Sequence, residues 1–81
     1  MTKAELLAAT ARGEGCRGRS KDDEPVFVLC ARDITAASTV RTWAQTLVLC
    51  KDVPTAKIAD AYALATQMEA WRAANGGKVP D

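Results

Sequence analysis

Arg17, Arg19 and Lys21 occupy alternate positions in a stretch that reads Gly13-Glu14-Gly15-Cys16-Arg17-Gly18-Arg19-Ser20-Lys21. Glycines let backbone amides turn toward an anion, and guanidinium groups grip phosphate oxygens in pairs. The spacing therefore suits a phosphate-gripping loop beside a helix start near Asp23. Arg32 and Arg41 are the neighbouring cations that would complete a ligand-binding set of Arg17, Arg19, Lys21, Arg32 and Arg41. The plainer reading is a flexible polar loop between two elements. A nucleoside-triphosphate loop of the GxxxxGK[ST] type is absent. Cys16 lies between glycine and arginine, where nearby positive charge favours a thiolate; the plainer reading is an inert exposed thiol.

The remaining chemistry is sparse. The chain has no histidine, so neither a Ser-His nor a Cys-His pair can activate a nucleophile. Asp22, Asp23 and Glu24 are consecutive carboxylates, but adjacent residues seldom converge on one substrate, and a solvated turn or helix cap explains them. Cys16, Cys30 and Cys50 form no CxxC pair, which argues against a metal site. The expectation is a protein that is not an enzyme, with no catalytic residue, no metal and no cofactor. A formal net charge of +1 lacks the broad basic excess of a general nucleic-acid binder. The Pro54–Ala61 stretch has the style of a first helix of a helix-turn-helix. No short turn and second helix follow it, so a DNA-binding regulator is the weakest alternative.

Elements of such a small chain must hold these residues with little core. At 81 residues the chain forms one domain, residues 1–81, and buries about 60–65% of the surface its unfolded form exposes. Domains of this size commonly need disulfides, a metal or a partner chain. Three cysteines and no secretory signal in residues 1–12 point to reduced thiols and a cytosolic setting. No apolar run approaches the roughly 20 residues that span a bilayer, so no membrane span is expected. Self-association into a homo-oligomer is the support that remains. A 48% hydrophobic content, rich in alanine, suits closely packed helices.

Periodicity places the elements. Thr2 and Glu5 form a capping box for a short helix over 3–12, which Gly13 stops. Residues 13–24 read as a glycine-rich, charged loop. The segment Pro25-Val26-Phe27-Val28-Leu29-Cys30-Ala31-Arg32 is β-branched and apolar, which suits a strand. A lone strand, however, leaves both edges unpaired. The preferred reading is a short helix capped by Asp23, with Phe27, Cys30, Ala31 and Ile34 on one face. The alternative is an α+β fold in which 25–32 pairs as a strand between subunits. Asp33 then caps a helix over 34–51, with Ala36, Val40, Trp43, Leu47 and Cys50 as its apolar stripe. Asp52 and Pro54 start a helix over 54–74, with Ile58, Ala61, Ala65, Met68 and Arg72 on one face and Tyr62, Leu64 and Trp71 widening it. Asn75-Gly76-Gly77 stops it, and 75–81 is a tail. Two helices joined by a tight break pack as antiparallel neighbours. The fold expected is all-α: an N-terminal helix and a middle helix on a C-terminal hairpin. Phe27, Trp43, Tyr62 and Trp71 are expected in the core, along with Cys30 and Cys50. Trp71, with Met68 and Leu49, is the candidate for a subunit contact.

From Gly15 to Trp43 the chain reads GCRGRSKDDEPVFVLCARDITAASTVRTW, and it ends in MEAWRAANGGKVPD. These stretches resemble a set of short phage and prophage proteins with a Gly-Cys loop, a DEPVFVL run, an aspartate and a tryptophan-bearing helix. The resemblance implies an accessory role in a mobile element, in countering host defence, and supplies no catalytic residues. Two functions fit these expectations. One is a binding protein that sequesters a small phosphorylated or nucleotide-derived signal. The other is a protein–protein interaction module that blocks a host defence complex in the manner of an anti-CRISPR protein.

Overall fold

A computed structural model describes residues 2–79 and, within them, every side chain but those of Cys16 and Arg17. The element order is α1 (Lys3–Ala11), α2 (Gly15–Arg19), α3 (Ala36–Val48) and α4 (Thr55–Asn75). The fold is all-α, as the periodicity predicts. Helix α1 packs against α2, and α3 packs against α4.

The hairpin of α3 and α4 is the structural body. Alanine has the highest helix propensity and the smallest side chain that still gives a packing surface, so alanine-lined helices form readily and approach closely. Ala37, Val40 and Ala44 of α3 meet Ala61 and Ala65 of α4 in one cluster, with Leu29 and Met68 half-buried against it. The helices run antiparallel: Arg41 pairs with Glu69, and nearer the start of α3 the Arg72 guanidinium donates to the Ile34 carbonyl at 2.6 Å. Between the helices, Asp52 takes a left-handed conformation (φ 65°), which aspartate tolerates better than most residues. Pro54, not Asp52, is the N-cap of α4 (φ −59°, ψ 136°). At the far end Gly76 adopts φ 86°, the stop expected from Asn75-Gly76-Gly77.

The α4 stripe lies where the spacing places it, with Ala61 and Ala65 buried and Ile58, Leu64, Met68 and Arg72 half-buried. The α3 stripe is rotated. Its buried face runs through Ala37, Val40 and Ala44, with Ala36 also buried, while Trp43 and Cys50 are exposed. Trp43 is too large for a seam whose opposite wall is Ala61 and Ala65, so the smaller Ala44 takes that place. None of the four aromatics is buried, and Cys30 is exposed as well. The expectation that these side chains fill the core is therefore corrected. Among the described residues the core consists of six alanines and Val40.

The middle helix is also corrected. Residues 25–30 carry no regular secondary structure, and 31–32 form a turn in which the Asp33 amide donates to the Cys30 carbonyl at 3.0 Å. Three things disfavour a helix there. Val26 and Val28 are β-branched, a helix that short needs docking to survive, and Leu29 alone reaches the hairpin core. Asp23 accordingly caps nothing regular. Asp33 does anchor the start of α3, but from three residues before its first turn: its carboxylate accepts from the Thr35 amide at 2.8 Å and the Thr35 hydroxyl at 2.7 Å. Those bonds, the hydroxyl's first, hold the Asp33 carboxyl below its ordinary pKa. The C-terminal stretch is not a free tail. Lys78 donates its amide to the Arg32 carbonyl at 2.8 Å and accepts from the Ile34 amide at 3.0 Å, making a parallel bridge with Asp33.

The glycine-rich loop is shorter than expected, because 15–19 fold into α2. Thr2 caps α1 as expected, its hydroxyl accepting from the Glu5 amide at 3.2 Å. Gly13 (φ 71°) then reverses the chain. A Cβ on Gly18 would lie 2.8 Å from the Gly13 carbonyl carbon. The absence of that Cβ is what lets α2 lie against the end of α1.

Candidate interaction surface

Of the cations expected to form a phosphate site, the four with described side chains are held apart in different parts of the fold or face solvent singly. Arg17 sits in α2 with its side chain outside the described residues. Arg19, Lys21 and Arg32 are exposed. Arg41 is half-buried and engaged by the Glu69 carboxylate across the hairpin. The sequence offered no partner for Arg41, because the pairing joins two helices whose facing register is set only by the fold. Cys16 falls in α2, and its side chain likewise lies outside the described part.

What the fold does display is apolar. Leu49 is 86% exposed, Phe27 84%, Trp43 49% and Trp71 48%, with Val26, Val28 and Val48 also well exposed. Of the residues expected at a subunit contact, Leu49 and Trp71 are outward and Met68 is half-buried against the core. A folded monomer of 8.6 kDa has an accessible surface near 4,700 Å² by the usual scaling with mass (~6.3 M^0.73). This chain has 6240 Å². The excess, roughly 1,500 Å², is about twice the area that one partner buries in a standard protein–protein interface.

The outer face of α3 shows how such a surface is built from ordinary residues. Ser38, Thr39, Thr42, Trp43 and Thr46 line a shallow depression there. The hydroxyls of Thr39, Thr42 and Thr46 donate to the carbonyls of Thr35, Ser38 and Thr42, at 2.8, 3.0 and 3.0 Å. The Ser38 hydroxyl donates to the Thr35 carbonyl at 3.0 Å. With the hydroxyls turned back onto the helix, the face offers threonine methyls beside an indole. It is drier than its composition suggests, and the sequence signal is threonine repeating at three and four residues around Trp43.

A second exposed apolar set lies in the irregular segment. Phe27, Val28, Cys30, Arg32, Lys78 and Val79 border an open cleft of about 230 Å³. From Val26 to Leu29 no backbone amide or carbonyl bonds to another described residue. Among the described residues no group of three or more acidic, cysteine or histidine side chains is placed to hold a metal. No described helix is long and apolar enough to cross a membrane. No protein-family model, curated protein or solved structure matches this chain.

Proposed function

We infer that this chain is a small helical protein-interaction module. It acts by covering its exposed apolar side chains against other polypeptides. The observation that carries the reading is the mismatch between core and surface: alanines and one valine are buried, while Phe27, Leu49, Trp43 and Trp71 remain in solvent. Burying a phenylalanine or leucine side chain is worth about 1.5–3 kcal/mol, whereas one methyl group brings about 0.8 kcal/mol. The larger hydrophobic stabilisation is thus still available for association. Tryptophan at 43 and 71 suits this role, because interface energy concentrates in such residues.

The likeness to short phage proteins supplies a setting in which a mobile-element protein blocks a host defence complex in the bacterial cytoplasm. Sequestration of a phosphorylated signal by Arg17, Arg19, Lys21, Arg32 and Arg41 gains less support, since Arg41 already has Glu69 as partner. A photo-crosslinking residue at position 43, 49 or 71, expressed in host cells, tests the reading. A discrete protein adduct is expected at these positions and not at the exposed polar Gln67. Absence of adducts at all three, with a phosphorylated small molecule retained in native mass spectrometry, would overturn it.

A further inference from the structure

We propose that the segment Val26-Phe27-Val28-Leu29-Cys30 is a pairing edge for a second copy of this chain, joined antiparallel about a two-fold axis at Val28. The proposal rests on the interaction-module reading and names the occupant of one of its surfaces.

Three properties meet in this segment. Its residues are β-branched, aromatic or otherwise apolar and carry no charge, the composition of a strand that adds to other strands. Its backbone groups from Val26 to Leu29 have no partner among the described residues. An exposed apolar stretch with unpaired backbone is a template for another chain, and natural proteins cover or blunt it. Phe27 is 84% exposed, whereas Leu29 is half-buried against the hairpin. A two-fold axis at Val28 sets residue 27 of one copy opposite residue 29 of the other. Phe27 then lies beside the partner copy's Leu29 and over its hairpin core, as a favourable aromatic–aliphatic cross-strand pair.

Charge selects the orientation. The turn before the segment is acidic, with Asp22, Asp23 and Glu24, and the turn after it carries Arg32, with Lys78 bridged alongside. Antiparallel pairing brings each acidic turn to the other copy's Arg32 end; residues 24 and 32 are equidistant from Val28. Parallel pairing would place acid on acid, which is destabilising. Pro25 lacks an amide and ends the ladder on one side, and the Cys30–Asp33 turn ends it on the other. The segment therefore supports a short, closed pairing of two copies and not an open fibre.

Sedimentation velocity on the intact chain tests this. The wild type is expected at twice 8.6 kDa. Successive strand amides point to opposite edges, so one of Phe27→Pro and Val28→Pro must remove a ladder bond. At least one of the two is expected to give a monomer with unchanged helical circular dichroism. Glu24→Arg is expected to weaken the dimer about tenfold through two symmetric like-charge contacts, and Glu24→Arg with Arg32→Glu to restore it. A wild type that stays monomeric up to about 100 μM overturns the proposal. So does a dimer that both proline variants retain, or a charge reversal that the double exchange does not rescue. Such a result with the adducts at 43, 49 and 71 intact removes only the second copy as partner. Loss of the adducts with the dimer intact removes the wider reading.

Discussion

Helices α3 and α4 hold each other along a continuous alanine seam, whereas α1 and α2 meet at little more than a turn. In the hairpin, Ala37, Val40, Ala44, Ala61 and Ala65 are buried together, and Arg41–Glu69 and Arg72–Ile34 tie the helices across it. In the N-terminal pair Ala9 is the only buried residue among those described, and neither helix packs on α3 or α4. Both pairs use close approach of small residues. The difference lies in how many turns the approach is repeated over: α4 runs for 21 residues and α2 for 5. Stability in a helical pair grows with the length of seam, so the hairpin is the cooperative unit and the N-terminal pair opens more readily.

That contrast can be broken from the hairpin side first. Ala65→Leu inserts three carbons into a fully buried site facing Ala44. It should cost about 1–3 kcal/mol, read as a lower denaturation midpoint by circular dichroism. The same change at Ala9 should leave the global midpoint nearly unmoved; equal effects at both sites would end the distinction. Gly18→Ala attacks the other pair, because its Cβ meets backbone and not a movable side chain. Faster amide exchange confined to residues 3–19 is expected, with the hairpin's protection intact. Arg41→Ala should cost only about 0.5–1 kcal/mol, less at high salt, since both partners of the ion pair are partly exposed.

The smallest effect concerns pH. Asp33 is held below its ordinary pKa by the Thr35 hydroxyl and amide. A depressed carboxylate contributes stability above its unfolded pKa, and that contribution is lost as pH falls through the folded value. Stability of the α3 start should therefore fall below about pH 4. Asp33→Asn, which keeps an acceptor but cannot titrate, should flatten that part of the acid limb in a pH-dependent melting series. A variant as acid-sensitive as the wild type would exclude Asp33 as a contributor.

The hairpin was legible in the sequence because its signals agree. Apolar spacing, Asp52-Val53-Pro54 and Asn75-Gly76-Gly77 all mark the same two helices, and the α4 stripe departs from expectation only at Tyr62 and Trp71, which lie in solvent. On α3 the spacing marks Ala36 and Val40 correctly and goes astray at Trp43 and Cys50, which are exposed. Facing Ala61 and Ala65, the helix turns its own alanines inward and puts Trp43 in solvent. Helix α2 was hidden for a related reason. Its two glycines, with Gly13 just before them, resemble a loop in sequence, and only the fold shows that Gly18 is small so that it can lie against Gly13. Residues 25–32 satisfied neither local pattern. Their composition favours a strand, and the chain holds no second strand for them. The cationic set was legible as residue types, but its geometry was not, since Glu69 engages Arg41 from another helix.

Hydroxyl-radical footprinting of Phe27, Trp43, Leu49 and Trp71 tests most directly whether these side chains are displayed in order to be covered. In the dilute purified chain all four should be modified rapidly. Phe27 should become protected as the concentration rises, and Trp43, Leu49 and Trp71 in host-cell extract. Equal modification under every condition would contradict the account.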